Sequence, residues 1–249
     1  MLLKEMESIM QENKRTFWDK IYSRLFRGFI FYPQKLSTRN LDRLCREYAS
    51  TKKSLIIHSE DVDYRPYFPN AYTVTKRADH NPDLICDLYY TDLCKIPDES
   101  YEIVVCTGLL EHIPQPSDLI ADLHRILTPG GKLVISASAV FSFHECPDNF
   151  FHFTPYGFRL LFKDWGHFEM LRGASQPFET IGILLQRILM QCEVNPIARF
   201  PVEMLSKSIR FLDFFIVRQF DTVKFSNEQS QTDSMLPSNI QACVVKAAK

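Results

Sequence analysis

Glycine is scarce in this chain, with eight among 249 residues and none between residues 55 and 67. That stretch reads LIIHSEDVDYRPY and continues directly from a short apolar strand candidate at 54–57. It therefore lacks the residue that enters left-handed backbone conformations freely and lets a ligand approach the main chain closely. Cysteine is present but unpatterned: seven residues, an odd number, with no Cys-x-x-Cys spacing. That excludes a recognisable zinc ribbon or disulfide framework and suits free thiols in a reducing, cytoplasmic setting. Charge of one sign is also missing, because 29 basic and 30 acidic residues leave a formal charge of −1. This argues against a general electrostatic grip on nucleic acid and leaves only a local patch, so no nucleic-acid partner is expected. No apolar run approaches the roughly 18–20 residues of a membrane span, and the charged N-terminus has no signal-peptide core. No transmembrane segment is expected.

What is present divides into three parts. Residues 1–50 are basic and aromatic, with Trp18, Ile21, Tyr22, Leu25 and Phe29 at helical spacing among Lys14, Lys20, Arg24 and Arg27. This predicts an N-terminal helical cap on the core, or a helix for a membrane surface or partner. Residues 51–173 alternate strand and helix signals. Strands are predicted at 54–57, 72–75, 84–88, 103–107 and 133–137. An amphipathic helix is predicted at 116–127, where Leu119, Ile120, Leu123, Ile126 and Leu127 are periodic. Thr128-Pro129-Gly130-Gly131 should end it in a turn. Thr154 should cap a further helix reaching about Trp165, with Pro155 at its first position. Residues 174–249 form a helical insertion or cap plus a final core strand. Helices are predicted at 180–191 and 202–220, a loop at 226–238 and a strand at 242–246. The apolar 202–220 segment could pack on the core, on a second copy in a homo-oligomer, or peripherally on a membrane. The alternation implies an α/β protein with a doubly wound, mostly parallel sheet, whose ligands bind beyond the carboxyl ends of the strands.

The run from Asp87 through Ile96-Pro97-Asp98-Glu99-Ser100-Tyr101-Glu102-Ile103-Val104-Val105-Cys106-Thr107-Gly108-Leu109-Leu110-Glu111-His112-Ile113-Pro114 resembles the class I S-adenosylmethionine-dependent methyltransferases, type 11 branch. Arg125-Ile126-Leu127-Thr128-Pro129-Gly130-Gly131-Lys132-Leu133 follows at that family's spacing. The segments at 66–69, at His144-Glu145 and at Phe153-Thr154-Pro155-Tyr156-Gly157 resemble a bacterial subset associated with sugar and surface-polysaccharide clusters. The resemblance covers residues 52–173 and the terminal strand. It implies a Rossmann-like methyltransferase fold: a seven-stranded sheet with the last strand antiparallel, carrying extra N-terminal and C-terminal helices. It also implies S-adenosylmethionine as cofactor and a small-molecule or glycan substrate.

Laid on the family's pattern, the pocket divides. Anchored on Tyr64-Arg65-Pro66, the acidic residue of the first motif becomes Ile56, and its two glycines become His58 and Glu60. A side chain forced into left-handed geometry costs about 1–2 kcal/mol. A glutamate about 4 Å from the cofactor's carboxylate would add repulsion of roughly 4 kcal/mol at an effective dielectric of 20. Lys76 stands where an acidic acceptor for the ribose hydroxyls is needed, with Asp79 nearby. The adenine-side acid, Asp87, is kept, as is the wall formed by Thr107, Gly108, Leu109, Glu111 and His112. Each of these also has a purely architectural reading as a turn or cap residue. Lys76 and Arg77 would suit a nucleotide sugar or phosphate better than a ribose diol.

The loop after strand five offers the chemical face. His144 is the candidate general base for transfer to a hydroxyl, with Glu145 or Asp148 to orient it. His112, His144 and His152 show no recognised ligand spacing, so no metal is expected. His152 stands where the resembled subset carries an arginine, and Cys146 has no base fixed beside it. Two functions follow: a methyltransferase-superfamily protein with a degraded cofactor site, serving as a pseudo-methyltransferase or a repurposed binding or scaffold protein; and an active O-methyltransferase acting on a sugar or small metabolite.

Overall fold

The computed structural model describes residues 35–58, 63–75, 81–86, 92–220 and 234–248. The predicted helix around Trp18 to Phe29 lies outside the described residues. The elements in chain order are α1 (Leu36–Glu47), β1 (Ser54–His58), β2 (Ala71–Thr75), β3 (Leu84–Ile85), β4 (Tyr101–Thr107), α2 (Pro116–Ile126), β5 (Leu127–Ser138), α3 (Pro155–Leu161), β6 (His167–Gly173), α4 (Pro177–Gln191), α5 (Pro196–Ser208) and β7 (Asn239–Val245). They build one seven-stranded sheet in the order β3-β2-β1-β4-β5-β7-β6. Neighbours from β3 to β5 pair in parallel, and β7 runs antiparallel to both β5 and β6. The antiparallel last strand is therefore present, inserted between β5 and β6.

Strand alternation divides the core between two faces. Leu55 and Ile57 of β1 join Val104, Cys106, Leu119, Leu123, Ile126, Phe158 and Phe162 in the larger cluster, so α2 and α3 cover that side. Ile56 points the other way, into a second cluster with Leu41, Leu44, Tyr64, Phe68, Ile103, Val105 and Val134 beneath α1. Each such buried side chain contributes about 1.5–3 kcal/mol relative to exposure. Behind α1 lies α4: the Leu36 amide donates to Gln186 Oε1 at 2.9 Å, and Arg43 donates to the Ala174 carbonyl at 3.0 Å.

Helix α2 forms where the periodicity predicted, with Pro116 in its first turn, Asp118 beside it, and His124 and Arg125 in its last turn. Acid at the start and base at the end match the helix dipole. Thr154 caps α3 by accepting from the Gly157 amide at 3.1 Å.

Four elements differ most from the sequence reading. Strand β5 begins at Leu127, and the Thr-Pro-Gly-Gly stretch sits inside it as a bulge. Tyr101 pairs with Leu127 and Ile103 with Lys132, so residues 128–131 stand opposite Glu102 alone. Gly130 takes φ +74°, which that excursion requires. Helix α3 stops at Leu161, because the chain turns through Phe162 and Gly166 to enter β6. Strand β3 is only two residues, held to β2 by Asp83, whose carboxylate accepts from both the amide and hydroxyl of Thr73 at 2.7 and 2.8 Å. The 202–220 helix starts earlier, at Pro196, where the Asn195 side chain accepts from the Ile197 amide. It tightens to a 3-10 helix over Ile209–Phe215. Phe211, Phe214 and Phe215 there are exposed. No described helix is long and apolar enough to cross a membrane.

Candidate functional site

The strand order reverses between β1 and β4, and ligands of open α/β sheets bind beyond the carboxyl ends at such a point. Here β1 ends at His58 paired with Thr107 of β4. Gly108 follows at φ +57°, a turn that places Leu109 and then a short 3-10 helix, Leu110–His112, over the end of the sheet. Thr107, Leu109, Glu111 and His112 are all buried. The retained wall read from the sequence is thus brought together as one surface. Asp87, Glu60, Lys76, Arg77 and Asp79 lie outside the described residues, as does the His58 side chain.

Glu111 and His112 are each 1% exposed, unusual for charged or titratable groups away from a site. Glu111 Oε1 accepts from Ser138 Oγ at 2.7 Å, while Oε2 is buried with no hydrogen-bond partner among the described residues. The backbone carbonyl of Glu111 accepts from the amides of Phe150 and Phe151, tying the loop after β5 onto the 3-10 turn. His112 Nδ1 meets the backbone carbonyl of Asp148.

That same loop brings His144 to His112, ring centroids 4.8 Å apart and nearly perpendicular. His144 Nδ1 lies 3.0 Å from the Ser142 carbonyl. Burial lowers its pKa below the ordinary histidine value, the Ser142 contact opposing this. The orienting group is therefore a backbone carbonyl, where the sequence had suggested the carboxylates of Glu145 or Asp148. Glu145 is exposed at φ +52° and lies electrostatically near Arg187, and Asp148 contributes through its carbonyl to His112. His152 is exposed and stacks near Phe143, away from the other two imidazoles. Cys146 is exposed and free.

Residues unmarked by sequence complete the surroundings. Arg187 of α4 donates to Ser142 Oγ at 2.9 Å and lies over the Phe141 ring, and burial lowers its pKa. Gln191 donates to the Phe143 carbonyl at 2.6 Å. The only available signal was a single cation, Arg187, in the apolar middle of a predicted helix. Thr107 Oγ1 and Ser136 Oγ, on residues paired in register, are buried without hydrogen-bond partners among the described residues, as is the Asn149 amide. Orphaned polar atoms are rare in folded interiors; these lie at the carboxyl ends of β4 and β5 and in the adjoining loops, while others are at Gln186 of α4 and Glu203 of α5.

At the opposite end of the sheet, a cleft of 390 Å³ is lined by Glu47, Tyr48, Lys52, Glu102, Lys132 and Glu169 among others. Its charges are matched internally, Lys52 with Glu102 at 3.1 Å and Lys132 with Glu169 at 2.6 Å. It lies at the amino ends of the strands, away from His112 and His144.

With this geometry, residues 59–135 match the family model described as a methyltransferase domain. A 45-residue stretch is 40% identical to the ubiquinone biosynthesis O-methyltransferase of Pseudomonas syringae pv. tomato, covering 18% of this chain and 19% of that protein. The enzyme of the same name from Xanthomonas oryzae pv. oryzae is 42% identical over 45 residues, again 18% and 19%. The matched stretch thus spans 19% of the length of these curated relatives. In fold, the chain is similar to a SAM dependent methyltransferase from Archaeoglobus fulgidus, with a TM-score of 0.52 at 10% identity, covering 92% of this chain and 100% of that one. Residues 59–135 thus match a methyltransferase-domain family, and the sheet has the fold of the S-adenosylmethionine-dependent methyltransferase it resembles.

Proposed function

We propose that this chain is a cytoplasmic superfamily member whose S-adenosylmethionine site is altered beyond use at its methionine and ribose ends. Its retained wall then binds a small-molecule or glycan ligand in a repurposed, pseudo-methyltransferase role. The observation that carries the reading is Ile56. It stands at the family's acidic position and is 1% exposed, packed in an apolar cluster with Tyr64 and Phe68. An acid there can accept a hydrogen bond from a ligand; an isoleucine sealed among aromatic rings cannot. The replacements of two glycines by His58 and Glu60, and of the ribose acceptor by Lys76, act in the same direction. In the wall, Thr107 Oγ1 and Glu111 Oε2 have no hydrogen-bond partner among the described residues and are free for a ligand.

One observation favours methyl transfer instead. A carbonyl accepts only, so His144 donates from Nδ1 to Ser142, and its Nε2 is left with a lone pair able to take a proton from a hydroxyl. Calorimetry separates the two. Titration of the protein with S-adenosylmethionine and S-adenosylhomocysteine to millimolar concentration should give little or no heat. A micromolar dissociation constant would overturn the proposal in favour of an O-methyltransferase with His144 as base.

A further inference from the structure

The sequence offers no metal-ligand spacing, yet the fold gathers Glu111, His112 and His144 so that one ligand atom of each lies within 4.8 Å of the others. We propose that these three side chains bind one divalent transition-metal ion of the zinc class, leaving at least one coordination position for water or a ligand oxygen. The inference does not depend on S-adenosylmethionine binding, but it rests on His144 not acting as a base, because its Nε2 lone pair is then on the ion.

The tautomers support it. Both imidazoles meet a backbone carbonyl at Nδ1, His112 at Asp148 and His144 at Ser142. A carbonyl has no proton to give, so each Nδ1 carries the hydrogen and each Nε2 presents its lone pair. Metal-bound histidines are held in just this way, one nitrogen on the ion and the other donating to a carbonyl or carboxylate. The third group supplies the charge. Glu111 is buried, with one oxygen satisfied by Ser138 and the other with no hydrogen-bond partner among the described residues. A buried carboxylate oxygen without a partner is costly, and a cation beside it removes that cost. The nearby guanidinium of Arg187 is directed to Ser142 Oγ and the Phe141 ring.

The donor set selects the ion. Two neutral imidazoles and one carboxylate suit zinc, cobalt, nickel or iron(II), whereas magnesium and calcium favour oxygen shells. Bonds of about 2.0–2.1 Å place tetrahedral ligands roughly 3.3 Å apart, so the atoms must draw inward by about 1 Å. The frame for that movement is in place. The Phe150 and Phe151 amides bond to the Glu111 carbonyl, and the Phe153 amide to Ser138, so the loop bearing His144 is fastened to the turn bearing Glu111.

Cobalt(II), which reports zinc-type sites through its visible absorption, provides the test. Full-length protein stripped with a chelator should develop a visible band that saturates at one equivalent. Zinc should displace it stoichiometrically, and millimolar magnesium should not. H144A and E111Q should each weaken cobalt binding at least tenfold, while H152A, altering a histidine outside the cluster, should leave it unchanged. His144 is only half-buried, so H144A keeps the test decisive if E111Q fails to fold. No saturating band, or equal affinity in wild type and H144A, would overturn the site.

Discussion

Histidine burial in this protein divides between a site and a structural contact, and the second is open to a pH test. His124 of α2 packs edge-on against Trp165, ring centroids 5.0 Å apart, beyond reach of the Glu111 cluster's contacts. Burial first, and the charge of Lys246 second, lower its pKa from the ordinary 6.5. A base with a lowered folded pKa binds its proton more readily when unfolded. Stability is therefore undiminished above pH 6.5 and falls as the pH drops from there through the folded pKa. Melting curves between pH 7 and pH 5 should show a smaller acid-induced drop in H124Q than in wild type. Identical pH dependence in the two proteins would contradict the assignment. The same residue type at 112 and 144 is held differently, each ring fixed by a carbonyl at Nδ1. Neither carbonyl is readable from side-chain identities, which is why the sequence pointed to Glu145 and Asp148 as orienting groups.

At the scale of elements, close approach between α4 and α5 depends on Gly182. A Cβ there would lie 2.5 Å from the Ser206 carbonyl oxygen, a backbone atom that cannot swing aside. Gly182→Ala should destabilise the protein by about 1–3 kcal/mol through overpacking, despite alanine's better helix propensity. A denaturant midpoint equal to or above wild type would show that the two helices do not pack so tightly. Such contacts between distant segments leave little trace in local sequence. Periodic elements were legible: α2 from its apolar spacing, and α3 from Thr154 and Pro155. The Asn195-Pro196 start of α5 carried an equally clear capping signal, which the apolar run beginning at Val202 obscured. Strand β5 was half legible, because a Pro-Gly-Gly sequence reads as a turn even where the sheet absorbs it as a bulge. The site was legible where it is contiguous, from Thr107 to His112. It was not where α4 and the loop after β5 close over it, since Arg187 and Ser142 meet only in three dimensions.

For the molecule as a whole, the proposed function separates the scaffold from the cofactor pocket. The sheet order, the antiparallel β7 and the match over residues 59–135 keep the superfamily's architecture, which rests on buried apolar strands indifferent to any ligand. Binding rests on a few backbone turns and charges, so the chain can lose it without losing the fold. In the proposed reading, the glycine-free stretch after β1 is where that loss is centred. The most direct measurement is S-adenosylmethionine titrated calorimetrically into wild type and E60G/K76D side by side. The account predicts little or no heat from wild type and measurable binding in the double variant, which restores a glycine and the ribose-side acid. Micromolar binding by wild type would contradict it.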